Sequence, residues 1–149
     1  LIQLFDESLK VLLSDMRKAL SEQNDPLEKF RVFIRMHLDS VEKYQSLAEV
    51  MQLELRQSSK FMKEHTPKRF AEYLNLISDI IRKGQEMDII RKDMHPAMMK
   101  RAIFGAMDEI ALGWVLSKQR KSKTYELAEC ADKLADIFLA SLTLSKQEP

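Results

Sequence analysis

At 149 residues, 45% of them hydrophobic, the chain has the size and apolar content of one domain that can bury roughly two-thirds of its unfolded surface. A net charge of +1 gives no global pull toward nucleic acid or a membrane surface. A single cysteine, Cys130, excludes an internal disulfide framework and fits a reducing cytoplasm, and no apolar run reaches the about 18–20 residues of a membrane span.

Three glycines and four prolines punctuate a sequence rich in Leu, Met, Lys, Glu and Ala. Unbranched side chains lose little rotamer freedom in a helix, and no stretch alternates as a strand would, so the expected class is all-α. Ile2, Phe5, Leu9, Leu12, Met16 and Leu20 recur at spacings of three and four and predict a first helix that stops near Asn24. Asp25-Pro26-Leu27-Glu28 reads as a helix start, with Asp25 as N-cap, Pro26 at the first position and Glu28 at the capping-box position. Leu27, Phe30, Ile34, Leu38 and Val41 are its expected buried face. A shorter helix from about Ser46 carries Leu47, Val50, Met51 and Leu55, and weakens at Ser58-Ser59-Lys60.

Thr66-Pro67 opens a fourth helix by the same cap-then-proline logic, striped by Phe70, Tyr73, Leu74, Ile77, Ile80 and Ile81, with Gly84 near its end. A polar connector then runs through Met94 to His95-Pro96, which begins a helix over about 96–117. Gln119-Arg-Lys-Ser-Lys123 is an expected charged loop. The last helix, about 124–144, carries Leu127, Ala131, Leu134, Phe138 and Leu142, and Ser145–Pro149 is expected to fray. Opening at Leu1 inside a helical pattern, the chain is expected to be a fragment or the ordered part of a longer protein.

The helix at 96–117 is unusual. From Ala102 to Leu116 only Asp108 and Glu109 interrupt non-polar residues, whereas a helix on the outside of a monomer needs one apolar stripe. It is therefore expected to be covered on two faces. Either it is the central helix of a compact bundle, or it has a core or ligand cavity on one side and a partner chain on the other. Gly105, Ala106 and Gly113, together with Ala128, Ala131, Ala135 and Ala140 on the last helix, would allow the close approach of a two-fold, four-helix contact.

Catalytic chemistry is not apparent. Gly84, Gly105 and Gly113 are too scattered for a phosphate loop, and His37, His65 and His95 lie on different segments with no Glu-x-x-His pattern. No nucleophile, base and orienter assemble, and no metal or cofactor is called for. His37 falls on the inner side of its helix and reads as a satisfied core histidine ahead of a ligand contact, and Cys130 reads as a small buried hydrophobe. Glu54 and Asp108 share apolar faces, where a carboxylate is costly unless paired. They read as members of an internal ion pair or helix-to-helix hydrogen bond, for example with Arg56, Arg101 or Tyr73, or as polar points on the wall of a cavity. Met36, Met51, Met87, Met98, Met99 and Met107 would suit an adaptable apolar pocket or plain gap-filling. Basic residues at Lys60, Lys63, Lys68 and Arg69, and at Arg120, Lys121 and Lys123, read as solvated faces or as contacts for an anionic head-group.

Three stretches resemble the C-terminal half of TetR-family transcriptional regulators: Leu47-Ala-Glu-Val-Met-Gln-Leu-Glu-Leu-Arg-Gln-Ser58, Phe70-Ala-Glu-Tyr-Leu74 on through Ile80-Ile-Arg-Lys-Gly-Gln85, and Phe104-Gly-Ala-Met-Asp-Glu-Ile-Ala-Leu-Gly-Trp-Val-Leu-Ser117. The likeness is greatest to the fatty-acid-responsive, FadR-type members. It implies a cytoplasmic helical homodimer, joined through about 96–117 and 124–144, whose effector is a long-chain acyl-CoA. Operator DNA would be read by a helix-turn-helix that residues 1–149 do not contain, and Leu1–Leu20 would be the connector helix from it. This chain is thus expected to be one ligand-binding and dimerisation domain that does not itself bind DNA specifically. Helical faces then nominate Phe5, Leu9, Met51, Leu55, Tyr73, Ile77, Phe104, Met107, Asp108 and Ala111 as the effector-lining residues. A helical self-association module with a filled core is the competing expectation.

Overall fold

The structure, a computed structural model, describes residues 2–52, 68–122 and 125–143. Among them are six helices: α1 (Ile2–Ser21), α2 (Pro26–Lys43), α3 (Gln45–Val50), α4 (Lys68–Glu86), α5 (Pro96–Gln119) and α6 (Leu127–Leu142). No helix among the described residues is long and apolar enough to cross a membrane. The cap at Thr66-Pro67, the weak stretch at 58–60, Leu55, Glu54 and the tail from 144 lie outside the described residues.

Local chemistry sets the helix starts. The Asp25 side chain accepts from the Leu27 amide at 2.9 Å, with Pro26 at the first position, and His95 Nδ1 accepts from the Ala97 amide at 3.2 Å ahead of Pro96. Both caps satisfy amides that a helix leaves without an internal partner. Asp25 bonds the second amide of its helix; the third belongs to Glu28, where the capping-box reading had put the bond.

The helix ends are less expected. α4 and α5 both stop in a Schellman motif without glycine at the left-handed position. Ile89 N donates to Gly84 O and Asp88 N to Gln85 O around Asp88 (φ 57°), while Ser122 N donates to Ser117 O and Lys121 N to Lys118 O around Lys121 (φ 53°). The charged 119–123 segment is therefore partly helix terminus, since Gln119 still belongs to α5. A left-handed conformation costs a non-glycine residue about 1–2 kcal/mol, part of which glycine returns as unfolded-state entropy. Lys121→Gly is accordingly expected to raise stability by about 0.5–1 kcal/mol in urea denaturation, and an unchanged midpoint would refute this.

The connector between α4 and α5 is polar in composition yet anchored by apolar residues, Ile90 foremost, with Ile89 and Met94 partly packed on the core. Ile90 is fully buried, forms an isolated antiparallel bridge with Thr143, and is followed by Arg91 N donating to Leu142 O at 2.9 Å. Gln85 Nε2 donates to the carbonyls of Arg91 and Met94, tying the connector back onto α4. Gly84 makes room for this arrangement: a Cβ there would lie 2.4 Å from Ile90 Cδ1 and 2.7 Å from Cγ1. Gly84→Val is expected to cost about 1–3 kcal/mol through overpacking, read as a lower melting temperature, and partial recovery with Ile90→Ala would identify the clash as its cause.

α2 is the helix that touches all five others, its Phe30, Phe33, Ile34, Leu38 and Val41 forming the middle of the core. The contact of α2 with α6 is the most extensive in the fold, edged by Arg31–Asp136 at 2.7 Å and Arg35–Asp132 at 2.9 Å. α5 is not the all-round buried centre that its composition suggested for a compact bundle. Met99, Ile103, Met107, Ala111, Trp114 and Val115 bury one broad face, while Ala102 and Gly105 stay exposed. Gly113 is explained within the chain, because the Tyr125 hydroxyl occupies the space its Cβ would take and donates to Ile110 O at 2.6 Å. At Gly105 that space is open.

Candidate functional site

A cavity of about 110 Å³ lies where α1 to α5 meet. Each helix presents one or two turns to it: Phe5, Ser8, Leu9 and Leu12 from α1; His37, Ser40, Val41 and the adjoining Tyr44 from α2; Phe70 and Tyr73 from α4; Phe104 and Asp108 from α5. Leu47 and Ala48 of α3 complete the wall with Met51 and Gln52, which follow it in a π-helical turn. The spacings of three, four and seven within these sets are those of a single helical face.

Aromatic rings dominate one end. Tyr73 packs 5.2 Å from Phe33 and 5.7 Å from His37, and Phe104 meets both His37 and Phe70 edge-on at 5.9 and 5.5 Å. His37 Nδ1 and the Tyr73 hydroxyl share a hydrogen bond of 2.6 Å, which satisfies both groups away from water. Burial pushes the imidazole down to about 4 and the phenol upward, so both are neutral near pH 7. A histidine so far below neutrality is a weak base, which suits this pair to hydrogen bonding more than to proton transfer. At another point of the wall Gln52 Nε2 donates to Asp108 Oδ1 at 2.7 Å. Asp108 is therefore both bonded between segments and on the cavity wall; Arg56, one of the anticipated partners, lies outside the described residues.

Of the nominated lining residues, Phe5, Leu9, Met51, Tyr73, Phe104 and Asp108 lie together on this wall. Ile77, Met107 and Ala111 do not; each is at most 1% exposed in the core. Ile77 follows Tyr73 on the same stripe but lies one turn deeper, past the end of the cavity. Met107 and Ala111 each follow a lining residue by three, which at about 100° per residue turns them some 60° toward the core. Leu55 lies outside the described residues.

From α2 and its end, sequence reasoning weighed only His37 as a ligand contact and missed Ser40, Val41 and Tyr44. His37, Ser40, Val41 and Tyr44 form a stripe whose mixed polarity was the available signal, and the partly buried His37 is both bonded to Tyr73 and on the cavity wall. Leu12, Leu47 and Phe70 were legible as one-face residues, unlike Ala48 and Gln52, but nothing in one sequence distinguishes a face on a void from a face on the core. Among the basic residues, Arg69 is paired with Asp6 at 2.5 Å, and Lys68, Arg120 and Lys121 are exposed. Cys130 is half-buried, and burial raises its thiol above the ordinary range. No group of three or more metal-ligating side chains occurs among the described residues.

Comparison with known proteins locates this arrangement. The family described as "YsiA-like protein, C-terminal region" matches residues 5–141. The fatty acid metabolism regulator protein of Bacillus subtilis (strain 168) is 26% identical over 142 residues, covering 95% of this chain and 71% of the regulator. Among solved structures, the fatty acid degradation regulator FadR from Bacillus halodurans superposes with a TM-score of 0.84 at 27% identity, over 95% of this chain and 74% of that one. The transcriptional regulator FadR from Bacillus subtilis, solved in complex with stearoyl-CoA, also gives a TM-score of 0.84, at 26% identity over 93% and 73%.

Proposed function

The chain belongs to the family of YsiA-like C-terminal regions of TetR-type regulators, and from that premise we propose that residues 1–149 form the effector-sensing and dimerisation unit of a transcriptional repressor. The effector in this reading is a long-chain fatty acyl-CoA. The carrying observation is the cavity between five helices, whose apolar wall is broken by a neutral imidazole–phenol pair and the Gln52–Asp108 bond. A mostly apolar pocket with a few convergent polar groups is the general form of a small-molecule site. The FadR relative in complex with stearoyl-CoA supports the same ligand class on independent grounds.

Self-association follows from surfaces that the chain leaves open. Ala102 and Gly105 on α5 are exposed, as are Ala128 and Ala140 on α6, and Ile137 is 66% exposed. Small residues permit close helix approach, so α5 and α6 are assigned a four-helix contact with a second copy. Operator contact falls to a helix-turn-helix outside residues 1–149. Because α1 supplies Phe5, Ser8, Leu9 and Leu12 to the wall, a ligand in the cavity displaces this helix and favours a dimer geometry unable to span two half-sites. The protein acts in the cytoplasm and carries no catalytic step. A self-association module without a ligand would have a filled core, and the cavity weighs against it.

Native mass spectrometry with and without stearoyl-CoA tests both parts. The expected result is a dimer that gains one ligand mass per chain; a bare monomer indifferent to acyl-CoA would sink the reading.

A further inference from the structure

α3 separates two spaces. On its inner side lies the cavity of about 110 Å³, and on its outer side an open groove of about 650 Å³ bounded by Leu4, Glu42, Lys43 and Val50. Ser8, Tyr44 and Leu47 border both, so the two spaces meet around this helix. Sites that enclose drug-sized ligands measure about 300–1,000 Å³. The inner cavity is too small for a long acyl chain, while the joined spaces fall within that range.

The helix between them is weakly held. α3 has six residues, none buried, whereas every other helix contributes fully buried side chains. A helix this short has no stability of its own and stays in place only by its contacts. Among the described residues these are the partial packing of Leu47, Ala48 and Val50 on the core and, at the turn that follows, the Gln52–Asp108 hydrogen bond to α5. Segments with few buried contacts open at the least cost in free energy.

We infer that α3 is a movable partition, latched by Gln52 and Asp108, and that a long-chain ligand joins the inner cavity and the outer groove into one site by swinging it outward. The inference rests on the acyl-CoA reading for the identity of the ligand. The apolar chain occupies the inner end. The polar end emerges into the groove, where the Lys43 ammonium stands 5.2 Å from the centre of the exposed Tyr44 ring. When the binding-competent state is a minor one, apparent affinity falls in proportion to its population, so weakening the latch tightens binding.

Gln52→Glu sets a second carboxylate against Asp108 at constant size, and adding Asp108→Asn gives that carboxylate a donor again. The test compares wild type, Gln52→Glu and the double variant by hydrogen exchange of the amides at 45–50 and by calorimetric titration with stearoyl-CoA. Loss of a hydrogen bond to a charged group corresponds to about a tenfold change, so Gln52→Glu is expected to speed exchange at 45–50 about tenfold, leave α2 unchanged and tighten stearoyl-CoA binding about tenfold. The double variant is expected to move both back toward the wild-type values. Exchange that ignores Gln52→Glu, or does not move back in the double variant, overturns the latch. Faster exchange with unchanged stearoyl-CoA affinity overturns the partition's part in binding. If wild type takes up no stearoyl-CoA, the ligand reading fails on its own, and response with rescue in the exchange data still decides for the partition or against it.

Discussion

Ser40→Phe is expected to abolish the stabilisation of this protein by stearoyl-CoA while leaving the fold intact. Ser40 lies on the cavity wall from α2, the helix most firmly fixed by its neighbours, so an added ring fills the cavity from a side that does not yield. The lost hydroxyl donates only to His37 O at 2.6 Å, a carbonyl within its own helix, and its removal strands no distant partner. A ligand present at 100 times its dissociation constant stabilises the native state by about 2.7 kcal/mol, which for a domain of this size is on the order of 5–10 °C in melting temperature. Wild type should show that rise and Ser40→Phe less than about 1 °C. A variant that melts like wild type without ligand and still gains the full increment with it would remove the cavity from the binding site.

The second large effect is a loss of stability in mild acid that traces to one side chain. The His37 imidazole titrates at about 4 in the folded protein, against 6.5 for an ordinary histidine, because burial penalises its charged form. Above pH 6.5 the group is neutral in both states and costs nothing. Between pH 6.5 and about 4 the unfolded chain binds a proton that the native state refuses, so stability falls as pH falls. The full difference corresponds to about 3 kcal/mol, reached by pH 4. His37→Gln keeps a neutral hydrogen-bonding group beside Tyr73 and removes the titration. Urea denaturation at pH 7, 6 and 5 should therefore give a shallower pH dependence for the variant than for wild type, and parallel curves would rule His37 out as the cause. The same titration would couple ligand binding to pH, since His37 lines the cavity.

Placement of the helices was legible in the sequence because it depends on local chemistry. Asp25-Pro26 and His95-Pro96 carry their caps within three residues, and the stripes of α1, α2 and α4 repeat at helical spacing whatever surrounds them. Ends that rely on the left-handed conformation were not legible. Asp88 and Lys121 occupy positions where glycine is the usual signal, and their stops are recognised only from the hydrogen bonds that close them. Gly113 shows the converse: its Cβ is excluded by Tyr125, twelve residues on, a contact invisible to any reading of spacing.

The apolar composition of α5 is the case in which sequence and tertiary structure divide most clearly. Sequence by itself determined the all-α class, the helix order and the fact that both faces of α5 are apolar, because hydrophobic periodicity is a property of the chain. Which face meets what was decided only in three dimensions. Met107 and Phe104 are neighbours on the same turn, yet one is wholly buried in the core and the other borders a cavity, since a void is defined by what five helices together fail to fill. The outward strip at Ala102 and Gly105 remains uncovered in the single chain, and in the function proposed above it is a second copy that would supply the burial its composition calls for.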